Sequence, residues 1–189
     1  MSDTPADALL RKASDWWSTA VIDIRPGVIR PRGIPIQELI GSASFPQMIW
    51  LMLRGALPTP EQARLLEAAL VAAVDHGPHA PSIAIARMAV TCGQGLNGAM
   101  ASAINVLDDV HGGAGEQCLA LYRRALALRP GRSVEAAVDE ALDAQIAGHG
   151  RIVPGFGHRF HPVDPRAVRL LALIDEAQAA GTVAGEHAR

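Results

Sequence analysis

The chain has 189 residues, with 17 Lys and Arg against 19 Asp and Glu, a formal net charge of −2 and 49% hydrophobic residues. That balance excludes the basic footprint of a general nucleic-acid binder and the polarity of a disordered chain, and an aromatic content of 4% excludes base-stacking platforms. The length suits one ordinary domain, or one domain and part of another, and allows a real core.

The first eight residues carry acids and no long apolar stretch, so no signal peptide is expected. Residues 16–33 are rich in β-branched residues, Pro and Gly and predict a short hairpin turning at Pro26 and Gly27. Three extended strand arginines, Arg25, Arg30 and Arg32, read as a solvated edge. Beyond it the periodicity is helical: a short helix over 36–40, then one opened by Ser44 and closed by Gly55. Thr59 and Pro60 start a helix that is apolar on most faces and is therefore expected to be buried. Further helices are expected over 82–90, 96–110, 116–128 and 133–147, and a last one capped by Asp164 and running to Ala179. The class is mainly α, with eight or so helices and at most two strands. No apolar run reaches the length of a membrane span. Cys92 and Cys118 form no CxxC pair and read as free thiols of a reducing cytosol.

Ionisable groups gather among glycines and prolines at three places. Asp75 and His76 end a helix, where a His serves either as a dipole-favoured cap or as a ligand. His111 is followed by three glycines that lead into the next helix, either as a plain turn or as a close approach to an anionic ligand. Arg151, His158, Arg159, His161 and Arg166 crowd one irregular loop with Gly155 and Gly157, which packing alone does not explain. A metal site is not expected, because His158 and His161 have no third ligand at a suitable spacing. A GxSxG nucleophile motif does not occur.

Taken in order, these motifs resemble those of the citrate synthase superfamily. Residues 30–39 (RPRGIPIQEL) are similar to its "RYRGYPIEEL", and residues 51–59 (LMLRGALPT) to its "LLLYGELPT". Asp75 and His76 are similar to "DHE/DHG", residues 111–114 to "HGGAN", and residues 153–158 with 164–166 to "PGYGH…DPR". The short distance from Thr59 to His76 resembles the compact forms, citryl-CoA lyase and the citryl-CoA-cleaving domain of ATP-citrate lyase.

The resemblance implies a multihelical two-domain dimer with a short N-terminal β-hairpin and an active site in the interdomain cleft. Residues 1–112 would form the large helical domain and 113–189 the beginning of the small one. It implies an enzyme that makes or cleaves the carbon–carbon bond between acetyl-CoA and oxaloacetate, with citryl-CoA or citrate on the other side. In that reading His76 binds the oxaloacetate or citrate portion, and His111 hydrogen-bonds the thioester oxygen and stabilises the enol. His158 exchanges a proton with the oxygen that is ketone in oxaloacetate and hydroxyl in citrate, and Arg166 holds a carboxylate. Val153, Pro154, Gly155, Phe156, Gly157 and Arg159 line the coenzyme A, which enters as a substrate thioester; no permanent cofactor, metal, nucleic acid or membrane is implied. A cytoplasmic homodimer is expected. The family's general base, an Asp in an "NVD" motif, has no counterpart in the 189 residues. That leaves a second expectation beside the first: a non-catalytic paralogue or subunit that binds CoA or citrate.

Overall fold

Caps written into the sequence start most helices of the computed structural model, which describes residues 4–158 and 161–184. The chain divides into two units, Met1–Ala68 and Ala69–Arg189. In the first, α1 (Pro5–Trp16) is opened by a capping box. The Asp7 N–H donates to Thr4 Oγ1 at 3.2 Å and the Thr4 N–H to the Asp7 carboxylate at 3.0 Å, so two orphan amides are satisfied reciprocally. This helix was not among the expected elements.

The hairpin is where it was expected. β1 (Ile22–Arg25) and β2 (Val28–Pro31) pair antiparallel, with Ile24 opposite Ile29. Pro26 presets the turn and Gly27 supplies its φ of 75°, the combination of a type II turn. A second turn follows at once: Arg32 (φ 47°) and Gly33 (φ 83°) are both left-handed, and the Ile34 N–H donates to the Pro31 carbonyl at 3.0 Å.

Arg32 does not belong to a solvated edge. Its Nε and Nη2 donate to the Met52 carbonyl at 3.1 and 2.5 Å. That carbonyl lies in the last turn of α3 (Phe45–Arg54), where C=O groups lack intrahelical partners and the dipole favours a cation. The guanidinium therefore staples the hairpin to α3. Arg25 stays exposed, paired with Asp23 at 2.8 Å.

Short α2 (Ile36–Leu39) buries Leu39, and α3 buries Pro46 and Leu51. Ser44 and Gln47 form the capping box of α3, and Gly55 ends it with a φ of 85°. Thr59 and Gln62 cap α4 (Pro60–Ala72) in the same reciprocal way. The expected burial of α4 fails. Ala63 is its one buried residue, and Val71 is 66% exposed. Apolar residues all round a helix can be covered only on the sides that meet a neighbour.

In the second unit, α5 (Pro81–Thr91) and α6 (Leu96–Ile104) pack together over small residues, Ala99 being 2% exposed. α6 ends six residues before its expected limit at Val110, because the following residues fold into a tight turn. α7 (Ala114–Leu128) and α8 (Val134–His149) form a second packed pair that buries Leu121, Ala137 and Ala141. Val134, Val138, Ala141 and Leu142, on one face of α8, line a cavity of about 510 Å³ in this seam. Ser133 caps α8, and Asp164 caps α9 (Pro165–Ala179). Among the described residues, no helix is long and apolar enough to cross a membrane.

Replacing Arg32 by Ala removes both bonds to Met52 and leaves a strained φ, so we expect a loss of about 1–3 kcal/mol, the usual worth of hydrogen bonds from a charged group. Urea denaturation monitored by tryptophan fluorescence would measure it, and an unchanged midpoint would show that the staple is idle.

Candidate active site

The site is built around a turn that the glycines make possible. The Asp108 N–H donates to the His111 carbonyl and the Gly113 N–H to the Asp108 carbonyl, both at 3.0 Å. Gly112 adopts a φ of 120°. At Gly113 the conformation is ordinary but the space is not: a Cβ there would stand 2.7 Å from the Asp109 carbonyl oxygen. Asp108 serves this turn as well, since its Oδ1 accepts the Asp109 N–H at 2.9 Å.

The turn delivers the half-buried His111 ring to the N-terminus of α5. The Ser82 N–H points at His111 Nε2 at 3.2 Å, and Ser82 Oγ lies 3.0 Å from the same nitrogen. Ser82 is in the first turn of α5, where backbone N–H groups have no intrahelical acceptor. A backbone N–H can only donate, so Nε2 accepts and must be unprotonated. In the neutral ring the proton then sits on Nδ1. The helix thus assigns the tautomer, and Nδ1–H is the donor left for a ligand.

His76 is exposed on the loop that leads into the same helix. The Asp75 carboxylate accepts the Gly77 N–H at 2.9 Å, an Asx turn that shapes this loop. Asp75 therefore acts on backbone, and His76 is the side chain presented. His111 is held by the start of α5, and His76 lies on the loop five residues before it.

The third element is the loop after α8. The Phe156 N–H donates to the Val153 carbonyl at 3.2 Å, with Pro154 and Gly155 (φ 83°) at the centre of the turn. This is again the type II arrangement. Gly157 also has positive φ, 81°, and the exposed His158 follows, its ring 4.6 Å from that of His161. Arg159 lies outside the described residues.

Asp164 and Arg166 hold each other. Asp164 Oδ1 accepts the Arg166 N–H at 2.9 Å and Nε at 3.0 Å, while Oδ2 accepts Nη2 at 2.7 Å. The guanidinium bonds, then the backbone N–H, hold the Asp164 carboxyl well below the usual carboxylate range, and the nearby His158 adds to the effect. Sequence reading recognised the helix cap but not this fork. Arg166 is fixed on one edge, and Nη1 is the group it has left to offer.

A cavity of about 700 Å³ lies between the first turns of α7, the end of α8 and the loop at 152–156. Asp109 and Val110, next to His111, line one end of it, and Arg124 and His149 contribute polar groups. Among the described residues, no group of three His, Cys, Asp or Glu is placed to hold a metal ion. The arrangement can donate a hydrogen bond from His111, transfer a proton at His158 and pair an anion with Arg166.

Residues 58–185 match the family model described as the citrate synthase C-terminal domain. A curated citrate synthase from Deinococcus radiodurans is 35% identical over 121 residues, which is 61% of this chain and 29% of that protein. Among solved structures, the citryl-CoA lyase of Hydrogenobacter thermophilus is 34% identical with a TM-score of 0.75, covering 91% of this chain and 63% of that one. The ATP citrate lyase of Methanothrix soehngenii, solved with citrate and coenzyme A, shares the fold at 20% identity, with a TM-score of 0.71 over 95% of this chain and 29% of that one. The chain thus spans less than two thirds of the length of each of these relatives.

The lowered Asp164 value fixes the sign of a pH effect. The Asp164–Arg166 pair stabilises the fold fully above the ordinary Asp value of about 3.9 and loses that contribution as pH falls toward the depressed value. Replacing Asp164 by Asn should therefore flatten the acid limb of a circular-dichroism stability profile between about pH 4 and pH 2. Identical acid limbs would show that the pair does not support the fold. Gly113→Ala should cost about 1–3 kcal/mol as an overpacked site, read by thermal denaturation; a wild-type melting point would contradict the close contact with Asp109.

Proposed function

Because the chain belongs to the citrate synthase family, we propose that it works on a coenzyme A thioester, making or cleaving the bond between acetyl-CoA and oxaloacetate. The length of the segment before His76 and the likeness to a citryl-CoA lyase favour cleavage of citryl-CoA. The observation that carries the reading is the Ser82–His111 contact. Enol formation puts negative charge on a thioester oxygen, and a donor aimed there in advance stabilises it without reorganisation. An Nδ1–H whose tautomer is set by a helix terminus is such a donor.

In the cleavage direction, His158 takes the hydroxyl proton of the citryl group as the carbon–carbon bond breaks. The electron pair of that bond passes into the thioester enolate, which His111 stabilises, and a proton taken from solvent onto the enolate carbon completes acetyl-CoA. Oxaloacetate is left with a carbonyl where the hydroxyl was. His76 and the free edge of Arg166 hold its carboxylates. Residues 153–157 line the coenzyme A, and Arg159 is assigned to its phosphates by sequence alone. Condensation is the same path reversed.

The proposal extends to the assembly: residues 1–112 as the large domain, 113–189 as part of the small one, and a cytoplasmic homodimer. Support for the dimer comes from α5 and α6, where Met88, Leu96, Met100 and Ile104 are each more than half exposed, which leaves apolar surface to cover.

Two measurements test this. Citryl-CoA supplied to the protein should yield acetyl-CoA and oxaloacetate, and His111→Ala should slow that turnover by about 10²–10³, the usual cost of one oxyanion donor. Failure to bind or turn over any CoA thioester would overturn the reading. Light scattering should give twice the chain mass, and Met100→Asp should shift it toward the single chain; a wild-type monomer would refute the dimer.

A further inference from the structure

The loop at 153–157 rests on α7 with no spare room. A Cβ added to Gly155 would stand 2.5 Å from Cys118 Cβ, 2.9 Å from Cys118 Sγ and 3.2 Å from the Ala114 carbonyl oxygen. One helical turn on, the Tyr122 ring meets Phe156 edge-to-face, centroids 5.8 Å apart and planes at 80°. Ala114, Cys118 and Tyr122 are spaced four residues apart and so form a single row along α7. Burial, with Cys118 as neighbour, pushes the Tyr122 phenol above its ordinary value, which agrees with a packed and desolvated row.

The same helix begins where the His111 turn ends, at Gly113. From Ala114 to Tyr122 the rise is only about 12 Å. One stiff element therefore carries the His111 turn at its start and the glycine loop on its first two turns. Val153 and Phe156 also wall both cavities of this unit, so a displaced loop reshapes both.

We infer that Cys118 and Tyr122 are positioning residues for the thioester: by filling the space under Gly155 and Phe156 they set the distance between the glycine loop and His111. The inference rests on the proposed use of that loop by coenzyme A. It assigns no chemistry to the thiol; what matters is its size. At position 118 a smaller side chain keeps the Cβ contact and leaves the loop seated, whereas a larger one lifts it away from α7; at position 122 loss of the ring removes the seat of Phe156.

The test compares Cys118→Leu and Cys118→Ala with the wild type, using amide hydrogen exchange at residues 155–157 and the affinity for free coenzyme A. Cys118→Leu should speed exchange in the loop and weaken coenzyme A binding by about ten- to hundredfold, the scale of a small misplacement, while Cys118→Ala stays near wild type in both. Unchanged loop exchange and unchanged affinity in Cys118→Leu would overturn the inference. Should the wild type bind no coenzyme A while loop exchange still responds to Leu, the positioning role stands and the proposed function falls. If Cys118→Leu loses its helical circular dichroism, Tyr122→Leu takes its place in both measurements, and wild-type behaviour there refutes the role.

Discussion

The acceptance of the Ser82 N–H by His111 Nε2 is the contact on which the rest of the site depends. It joins two segments 29 residues apart in the chain, satisfies a helix-terminal amide and fixes which ring nitrogen carries the proton. A side-chain cap at the start of α5 would have removed the need for it. Ala80, the residue in the capping position, provides no such side chain. The helix takes its acceptor from across the fold instead, and the imidazole gains a defined orientation in return.

α7 extends that order to the second half of the site. Its first residue is set by the Gly113 turn, and its side is shaped to receive Gly155. Loops are usually the loosest parts of a fold. This one is defined by a type II turn at Pro154 and Gly155, by contact with Cys118 and by the Phe156–Tyr122 ring pair. Beyond it, Asp164 caps α9 and grips Arg166, so the cation that follows the loop is also preset.

Much of this was legible because it is local. Pro26 with Gly27, Ser44 with Gln47, Thr59 with Gln62 and Asp164 before Pro165 all state their turns and caps within a few residues. The missed α1 was legible too: Thr4, Pro5 and Asp7 carry a cap, a first-turn proline and the reciprocal acid. What could not be read is what depends on distant partners. Nothing near Arg32 announces that it reaches Met52, and nothing near His111 announces Ser82. The error at α4 has the same origin, since an apolar composition says what could be covered and not what covers it. The candidate histidines were found by their company of glycines, yet the tautomer of His111 and the engaged edge of Arg166 are products of the fold.

The Ser82 contact also sorts the histidines of the site by their reactivity toward electrophiles. At His111 the lone pair of Nε2 already points at a backbone amide, and freeing the one on Nδ1 would require moving a proton and abandoning the helix end. Acylating or alkylating reagents should therefore meet a poor nucleophile there, while the exposed His76 imidazole carries no such constraint. A covalent reagent aimed at this region would do better to anchor on His76 than on His111.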